Sequence, residues 1–322
     1  MLNKWIIRNA TIVTSSGEFI GDVAVENSFI SQIGSGISGC FKKEIDAQGK
    51  RLLPGLIDPH VHFELPVGGR VSSDDFYSGT KAAVQGGITT VIDFTTPFPG
   101  MSLCESLNER IECLKKSVID VALHVTVCGW SKKKEAEIDA CIHRGATSFK
   151  FFTAYEESGR RTSYEDLFEA ASTISKHDGV MLIHAEDQSA LISADRLKSD
   201  SFSMYESSRP PKAEELAINR MAVIQKETGT RVYIVHLSSE IGLTSAGRSE
   251  LLLETCPHYL ILDSSKYLEN EGYRYGVAPP LRDKQNQKAL WNALSHGKIH
   301  TIGTDHCYFD VRIKDDAGDH FT

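Results

Sequence analysis

The stretch PGLIDPHVHFE, Pro54–Glu64, sets the reading of the whole chain. An apolar pair, Leu56 and Ile57, leads through Asp58-Pro59 into His60, Val61 and His62. Side chains two apart on a strand share a face, so the two imidazoles point the same way. Two imidazoles side by side ask for something to hold, and for partners from elsewhere in the chain.

Working outward from that stretch, apolar β-branched runs alternate with helical patterns. The strand-like segments are GLIDPHVHF, TTVIDFT, VALHVTVCG, SFKFFTAY, VMLIHAE, RVYIVHLS, LLLETCPHYLIL and IHTIGTDHC. Each reads as a strand buried on both faces. Between them, DDFYSGTKAAVQGG opens on acids and closes on glycine. SYEDLFEAASTISKHDG offers Ser163 as N-cap and Gly179 as stop, and PPKAEELAINRMAVIQKETG starts on prolines and ends at Gly229. Strand–helix alternation repeated eight times predicts an α/β fold, a (β/α)8 TIM barrel over residues 54–322. Residues 1–53 have short-strand grammar, with Ile, Val and Phe broken by Ser-Gly and Gly-Asp turns, and are expected to form a small N-terminal β-segment. After GTDHC only 15 residues remain, so the last barrel helix is expected to be missing or very short and the chain to be C-terminally truncated.

The chain has 322 residues, 41% hydrophobic and 24% charged, enough for a large core. Its net charge of −8 argues against a nucleic-acid partner. No apolar run is long enough for a membrane span, and no signal peptide is evident. The seven scattered cysteines form no CxxC pair and read as reduced thiols, so a cytoplasmic location is expected.

In a (β/α)8 barrel the C-terminal strand ends form the active-site mouth. The polar residues there are His60 and His62 on strand one, Lys150 on strand four, His184 on strand five, His236 on strand six and Asp305 on strand eight. Each has a plainer reading: a satisfied core histidine, as expected for His124, His143 and His177, a snorkelling lysine, a helix-capping aspartate. Together they suit divalent cations, and imidazole with carboxylate suits zinc. Two such ions about 3.5–4 Å apart need a shared bridge. An ammonium has no lone pair to give. A desolvated Lys150 would hold a free amine that takes up CO2 as a carbamate, supplying an oxygen to each ion.

The stretches PGLIDPHVHFELP, DDFYSGTKAAVQGGITTVIDF, SFKFFTAY, VYIVHLS, ETCPHYLILD, PPLRDK and GTDHC resemble the dihydropyrimidinase/hydantoinase branch of the cyclic amidohydrolases, within the metal-dependent hydrolase superfamily. The resemblance implies a hydrolase of non-peptide C–N bonds that opens a dihydropyrimidine or 5-substituted hydantoin to an N-carbamoyl amino acid. It implies that His60, His62 and Asp305 hold one metal, and that Lys150, as N6-carboxylysine, bridges to a second held by His184 and His236. Tyr155, five residues after the lysine, matches a family tyrosine placed to donate to an oxyanion. Asp305 would be base, then acid. Phe63, Leu65 and Phe152 match the substituent pocket, and Ala278 a main-chain contact to the ring. A dimer or tetramer is implied, and residues 1–53 become half of a composite β-sandwich.

Dihydroorotases resemble HxHxR, and here Glu64 stands at the arginine's place, where an acid repels a substrate carboxylate. ETCPHYL, with His258, looks like allantoinase, which stays an alternative. GTDHC and SSDDFYSGT look like the hydantoinase branch, and His258 is expected to be a structural residue of strand seven. A non-catalytic scaffold resembling dihydropyrimidinase, or an inactive fragment, is the alternative of another class. The former lacks the metal ligands that this chain retains.

Overall fold

Alternation along the first strands builds a sheet before any helix appears. The computed structural model describes residues 4–321. Strands β1 (Lys4–Thr14) and β2 (Gly17–Glu26) form an antiparallel hairpin, with Lys4 opposite Glu26 and Thr14 opposite Gly17. Strand β3 (Phe29–Gly34) joins through Asn27 and Ser28, whose φ values of 51° and 71° are those of a type I′ turn. Strands β4 (Lys43–Asp46) and β5 (Arg51–Leu52) run parallel to β1. Ala10, Ile12, Val23 and Val25 bury one another within the sheet, and Phe29 and Ile30 on β3 stay exposed. This sheet belongs to one of two units of the chain, Met1–Leu56 and Ile57–Thr322.

The second unit is the predicted barrel. Its first strand is β6 (Leu56–Val61), followed by a small hairpin, β7 (Pro66–Val67) and β8 (Arg70–Val71). Then come β9 (Ile88–Phe94), β10 (Asp120–Thr126), β11 (Ser148–Phe152), β12 (Val180–His184), β13 (Arg231–Ile234), β14 (Leu252–Thr255) and β15 (Thr301–Ile302). The eight barrel strands neighbour one another in chain order and run parallel. The seam closes just past β15, where Val61 bridges His306 in parallel and the His62 N–H donates to the His306 carbonyl at 2.7 Å.

The outer layer comprises α1 (Phe76–Gln85), α2 (Leu103–Cys113), α3 (Lys133–Ile142), α4 (Tyr164–Ser175), the short α5 (Ala194–Leu197) and α6 (Tyr205–Ser208), α7 (Pro211–Thr228), α8 (Glu240–Ala246), α9 (Pro257–Ile261), α10 (Lys284–Ser295) and α11 (Val311–Ala317). Local chemistry sets their ends. Ser163 caps α4 by accepting from the Asp166 N–H, and Gly229 closes α7 at φ 69°. Among the described residues, no helix is long and apolar enough to cross a membrane.

The period of two decides what faces where. Phe149 and Phe151 of β11, Met181 and Ile183 of β12, and Val232 and Ile234 of β13 join one buried cluster with Leu167, Ala170 and Ile174 of α4 and Ala217, Ile218 and Met221 of α7. The intervening residues, Leu182 and Tyr233 among them, form a separate cluster with Phe94 and Val235 inside the barrel. Lys150 and His184 share that inward register.

The same rule applies to β6. Val61 and Phe63 pack outward against Phe76 and Val91, and His60 and His62 alternate to the inside. Phe63 lies hard against Gly79 of α1, where an added Cβ would sit 2.1 Å from a ring carbon. Gly79→Ala is therefore expected to destabilise the fold by about 1–3 kcal/mol through overpacking, reduced by up to about 1 kcal/mol of helix propensity. Equilibrium denaturation checks it: the midpoint should fall at unchanged slope.

Strand seven is shorter than its sequence predicts. The ladder stops at Thr255, and Pro257 opens the helical turn α9. Proline donates no ladder hydrogen bond but is at home in a first helical turn, so the apolar run PHYLI becomes helix. His258 thus sits on α9 and not on the strand.

Candidate metal centre

Two clusters of nitrogen and oxygen donors stand at the C-terminal end of the barrel. In the first, His60 Nε2 and His62 Nε2 are 3.2 Å apart, and Asp305 Oδ1 lies 3.1 and 3.2 Å from them. The three donor atoms are close enough to share one ion. Asp58 ties the first and last strands together here. It accepts from the His60 N–H at 3.2 Å, the Thr304 N–H at 3.0 Å and the Thr304 hydroxyl at 2.5 Å, which fixes the peptide before Asp305. In the second cluster, His184 Nδ1 faces His236 Nε2 at 3.0 Å. The clusters adjoin, since the His60 and His236 rings are 5.6 Å apart.

Two buried carboxylates fix which nitrogen faces inward in two of the four rings. His60 Nδ1–H donates to Glu254 at 2.7 Å, which leaves Nε2 for the cluster. His184 Nε2–H donates to Glu186 at 2.8 Å, which leaves Nδ1. Glu186 is held in turn by Arg209, whose Nη2 is 2.5 Å away. Such carboxylate–histidine pairs orient imidazoles that ligate metals.

Lys150 stands between the clusters, 2% exposed. Its Nζ makes no ion pair among the described residues and sits 5.4 Å from the ring centres of Phe94 and Phe152. Phe94 also packs against His60 and His62, at 4.7 and 4.6 Å, so the amine and both imidazoles ring one aromatic side chain.

Burial and charge shape the titration of these groups. Burial lowers the Lys150 amine to about 8, against the pull of Asp305 and Glu254. It takes His62 down to about 4 and carries His184 and His236 below their ordinary value. Burial disfavours charge on His60 too, but Glu254 and Asp305 outweigh it and lift the imidazole to about 9. Burial alone would raise the Asp305 carboxyl, yet His60 and His62 hold it well below the usual carboxylate range. Glu186, also buried, is held at about 2 by Arg209 and His184.

Tyr155 stands at the mouth, its ring 4.9 Å from that of His184 and 6.1 Å from that of Phe152. Burial pushes its phenol above the ordinary range, so it is a proton donor at neutral pH. Its hydroxyl makes no hydrogen bond among the described residues, and Arg209 lies over its ring at 5.0 Å. Phe152 lies beside His184 at 5.9 Å, and the Arg160 guanidinium covers it at a similar distance. The wall beside Phe152 is therefore not wholly apolar. His236, Asp305, Tyr155 and Glu64 all have left-handed backbones, with φ of 42°, 52°, 68° and 46°. Such conformations are uncommon for residues other than glycine and gather at functional sites.

The remaining sequence candidates differ in their surroundings. Phe63 is core beneath α1, turned away from the imidazoles by strand alternation, and is not brought to the mouth. Leu65 donates its N–H to Ser72 Oγ at 2.8 Å, at the start of the β7–β8 hairpin. Ala278 precedes a cis proline, Pro279, ahead of Leu281 and Arg282. Glu64 pairs with Lys116 at 3.1 Å. The His258 ring packs edge-on against Tyr259 at 4.2 Å, and its Nε2 is buried without a partner. His124 is satisfied by Ser148 and the Pro59 carbonyl, as expected of a structural histidine. Sequence reasoning missed Glu186, Glu254 and Asp58. A signal existed for two of them: Asp58 and Glu186 are each two residues from a histidine, in DPH and HAE.

The donor set fits divalent cations. Within each cluster, buried imidazole nitrogens stand about 3 Å apart, and Nδ1 of His62 and of His236 is left without a partner among the described residues, a donor-rich setting that suits a cation. Residues 51–322 match the model of the amidohydrolase family. The chain is 34% identical to a D-hydantoinase of Geobacillus stearothermophilus, across 97% of this chain and 69% of that one. It is 33% identical to a D-phenylhydantoinase of Escherichia coli (strain SE11), across 98% and 71%. Among solved structures, the dihydropyrimidinase from Brevibacillus agri superposes with a TM-score of 0.91 at 34% identity, covering 95% of this chain and 69% of its own.

Proposed function

The chain belongs to the amidohydrolase family, and on that premise we propose that it opens the ring of a dihydropyrimidine or 5-substituted hydantoin to an N-carbamoyl amino acid. One observation carries the reading. Four imidazoles, one carboxylate and an unpaired buried amine gather from five strands at the mouth end of a barrel. The names of the relatives, hydantoinases and a dihydropyrimidinase, supply the ring class.

His60, His62 and Asp305 would hold one cation, and His184 and His236 a second. Lys150, carboxylated by CO2 on Nζ with loss of a proton, would offer an oxygen to each. Its burial favours that step. An ordinary lysine is almost wholly ammonium at pH 7, whereas an amine at about 8 leaves on the order of a tenth free to react. Zinc is the cation we propose, because imidazole and carboxylate are borderline donors. When bound, the cations would supply Lewis acidity and make water more acidic. Asp305 takes the proton of the attacking water and delivers it to the leaving ring nitrogen. Tyr155 donates its O–H to the oxygen on which charge develops. Phe152 and Leu65 would flank the exocyclic substituent.

A homodimer or tetramer is proposed from the family resemblance. A reducing, cytoplasmic setting is proposed from the seven scattered cysteines, which form no CxxC pair.

The test pairs elemental analysis of the purified chain with ring-opening assays on dihydrouracil, hydantoin, a 5-aryl hydantoin and allantoin. Two metals per chain with turnover of one of the first three is expected. A folded, metal-free chain without turnover overturns the reading, and turnover of allantoin alone moves it to allantoinase. Tyr155→Phe is expected to lower kcat about 100- to 1000-fold with KM nearly unchanged, since the phenol acts on charge that forms only in the transition state. A variant that raised KM alone would make Tyr155 a binding residue.

A further inference from the structure

We propose that Glu254 is a positioning residue for both halves of the centre at once, setting cation affinity at each. The inference rests on the metal centre of the proposed function and goes beyond it. Glu254, fully buried on β14, is not among the six residues assigned to the cations. Its reach is what sets it apart. One oxygen, Oε1, accepts from His60 Nδ1 at 2.7 Å and from the His236 main-chain N–H at 3.0 Å. The other, Oε2, accepts from the Tyr233 hydroxyl at 2.7 Å. His60 belongs to the cluster with His62 and Asp305, and His236 to the cluster with His184. A single carboxylate oxygen therefore spans the two.

What it does differs between the halves. Towards His60 it fixes the tautomer and makes the free nitrogen more basic. Towards His236 it holds a main chain at φ 42°, a left-handed conformation uncommon outside glycine. The chain just past β15 leaves room for it. At Gly303 an added Cβ would lie 2.6 Å from Glu254 Oε2 and 2.8 Å from His60 Cβ. Glu186 is the natural contrast: also buried, it reaches a ring nitrogen of His184 and the guanidinium of Arg209, and so serves one half only.

The experiment titrates cobalt(II) into the full metal-free chain, followed by visible absorbance, alongside elemental analysis after dialysis. Wild type, Glu254→Gln, Glu186→Gln and Tyr233→Phe are compared. Glu254→Gln is expected to weaken both equivalents about 10- to 100-fold, and Glu186→Gln only one of them. Tyr233→Phe keeps the carboxylate but loosens its anchor, and should weaken both equivalents by a smaller, shared factor. A role confined to packing would lower the melting temperature without this pattern. A folded Glu254→Gln chain that keeps either equivalent at wild-type affinity overturns the proposal. Should that variant fail to fold, Tyr233→Phe decides: unchanged binding at either equivalent overturns it too. A wild-type chain that takes up no second equivalent fails in the first titration. That result overturns the two-cation reading itself, and the inference with it.

Discussion

Replacing Lys150 with alanine is expected to abolish ring opening, to below about a thousandth of the wild-type rate, and to strip at least one cation from the chain. The amine is buried among Phe94, Phe152 and the imidazoles and makes no ion pair among the described residues. An ammonium buried there without an ion pair costs stability, which favours use of the nitrogen in another form. Alanine removes the amine on which the carbamate would form. Lys150→Met separates packing from chemistry, because it fills the same volume without an amine and should be equally inactive. Acetate or propionate added to Lys150→Ala should restore part of the activity by standing in for the missing carboxylate. Elemental analysis and kcat with and without added acid check the expectation. Undiminished turnover by the alanine variant in acid-free buffer would sink the assignment.

Asp305→Asn should be nearly as severe. The amide keeps the shape of the carboxylate but cannot accept a proton, and general base catalysis is worth about 100- to 10,000-fold. The side chain also faces His60 and His62 at 3.1 and 3.2 Å, so losing its charge should weaken the cation on that side. The two effects separate in the measurements. At saturating metal the proton-transfer defect persists in kcat, while any loss of affinity is overcome. A kcat fully restored by excess metal would leave Asp305 a ligand and remove it as the base.

Much of this was legible in the sequence because a strand encodes its faces. Once β11 and β12 were read as strands, the period of two placed Lys150 and His184 on the inner face, and HVH did the same for His60 and His62. The same rule argues against Phe63 as a pocket wall. It follows His62 on the opposite face and packs under α1, so the residue beside a ligand is not thereby near the substrate. Glu254 was hidden for a different reason. Its partners are His60, His236 and Tyr233, the first nearly two hundred positions away, and no local spacing points to them. The end of strand seven is obscured in the sequence by apolar content around Pro257, where the backbone loses a donor and turns to helix. Arg160 over Phe152 needed side-chain geometry, since a charged loop residue reads as solvated by default.

The left-handed backbones at His236, Asp305 and Tyr155 bear on any attempt to harden this protein against heat. Each is held against its own preference, at roughly 1–3 kcal/mol apiece. Glycine at any of the three would release that tension, yet it would also empty a packed site and loosen the unfolded chain, which together outweigh the gain. Thermal hardening therefore has little to gain at these three positions and has to come from elsewhere in the barrel.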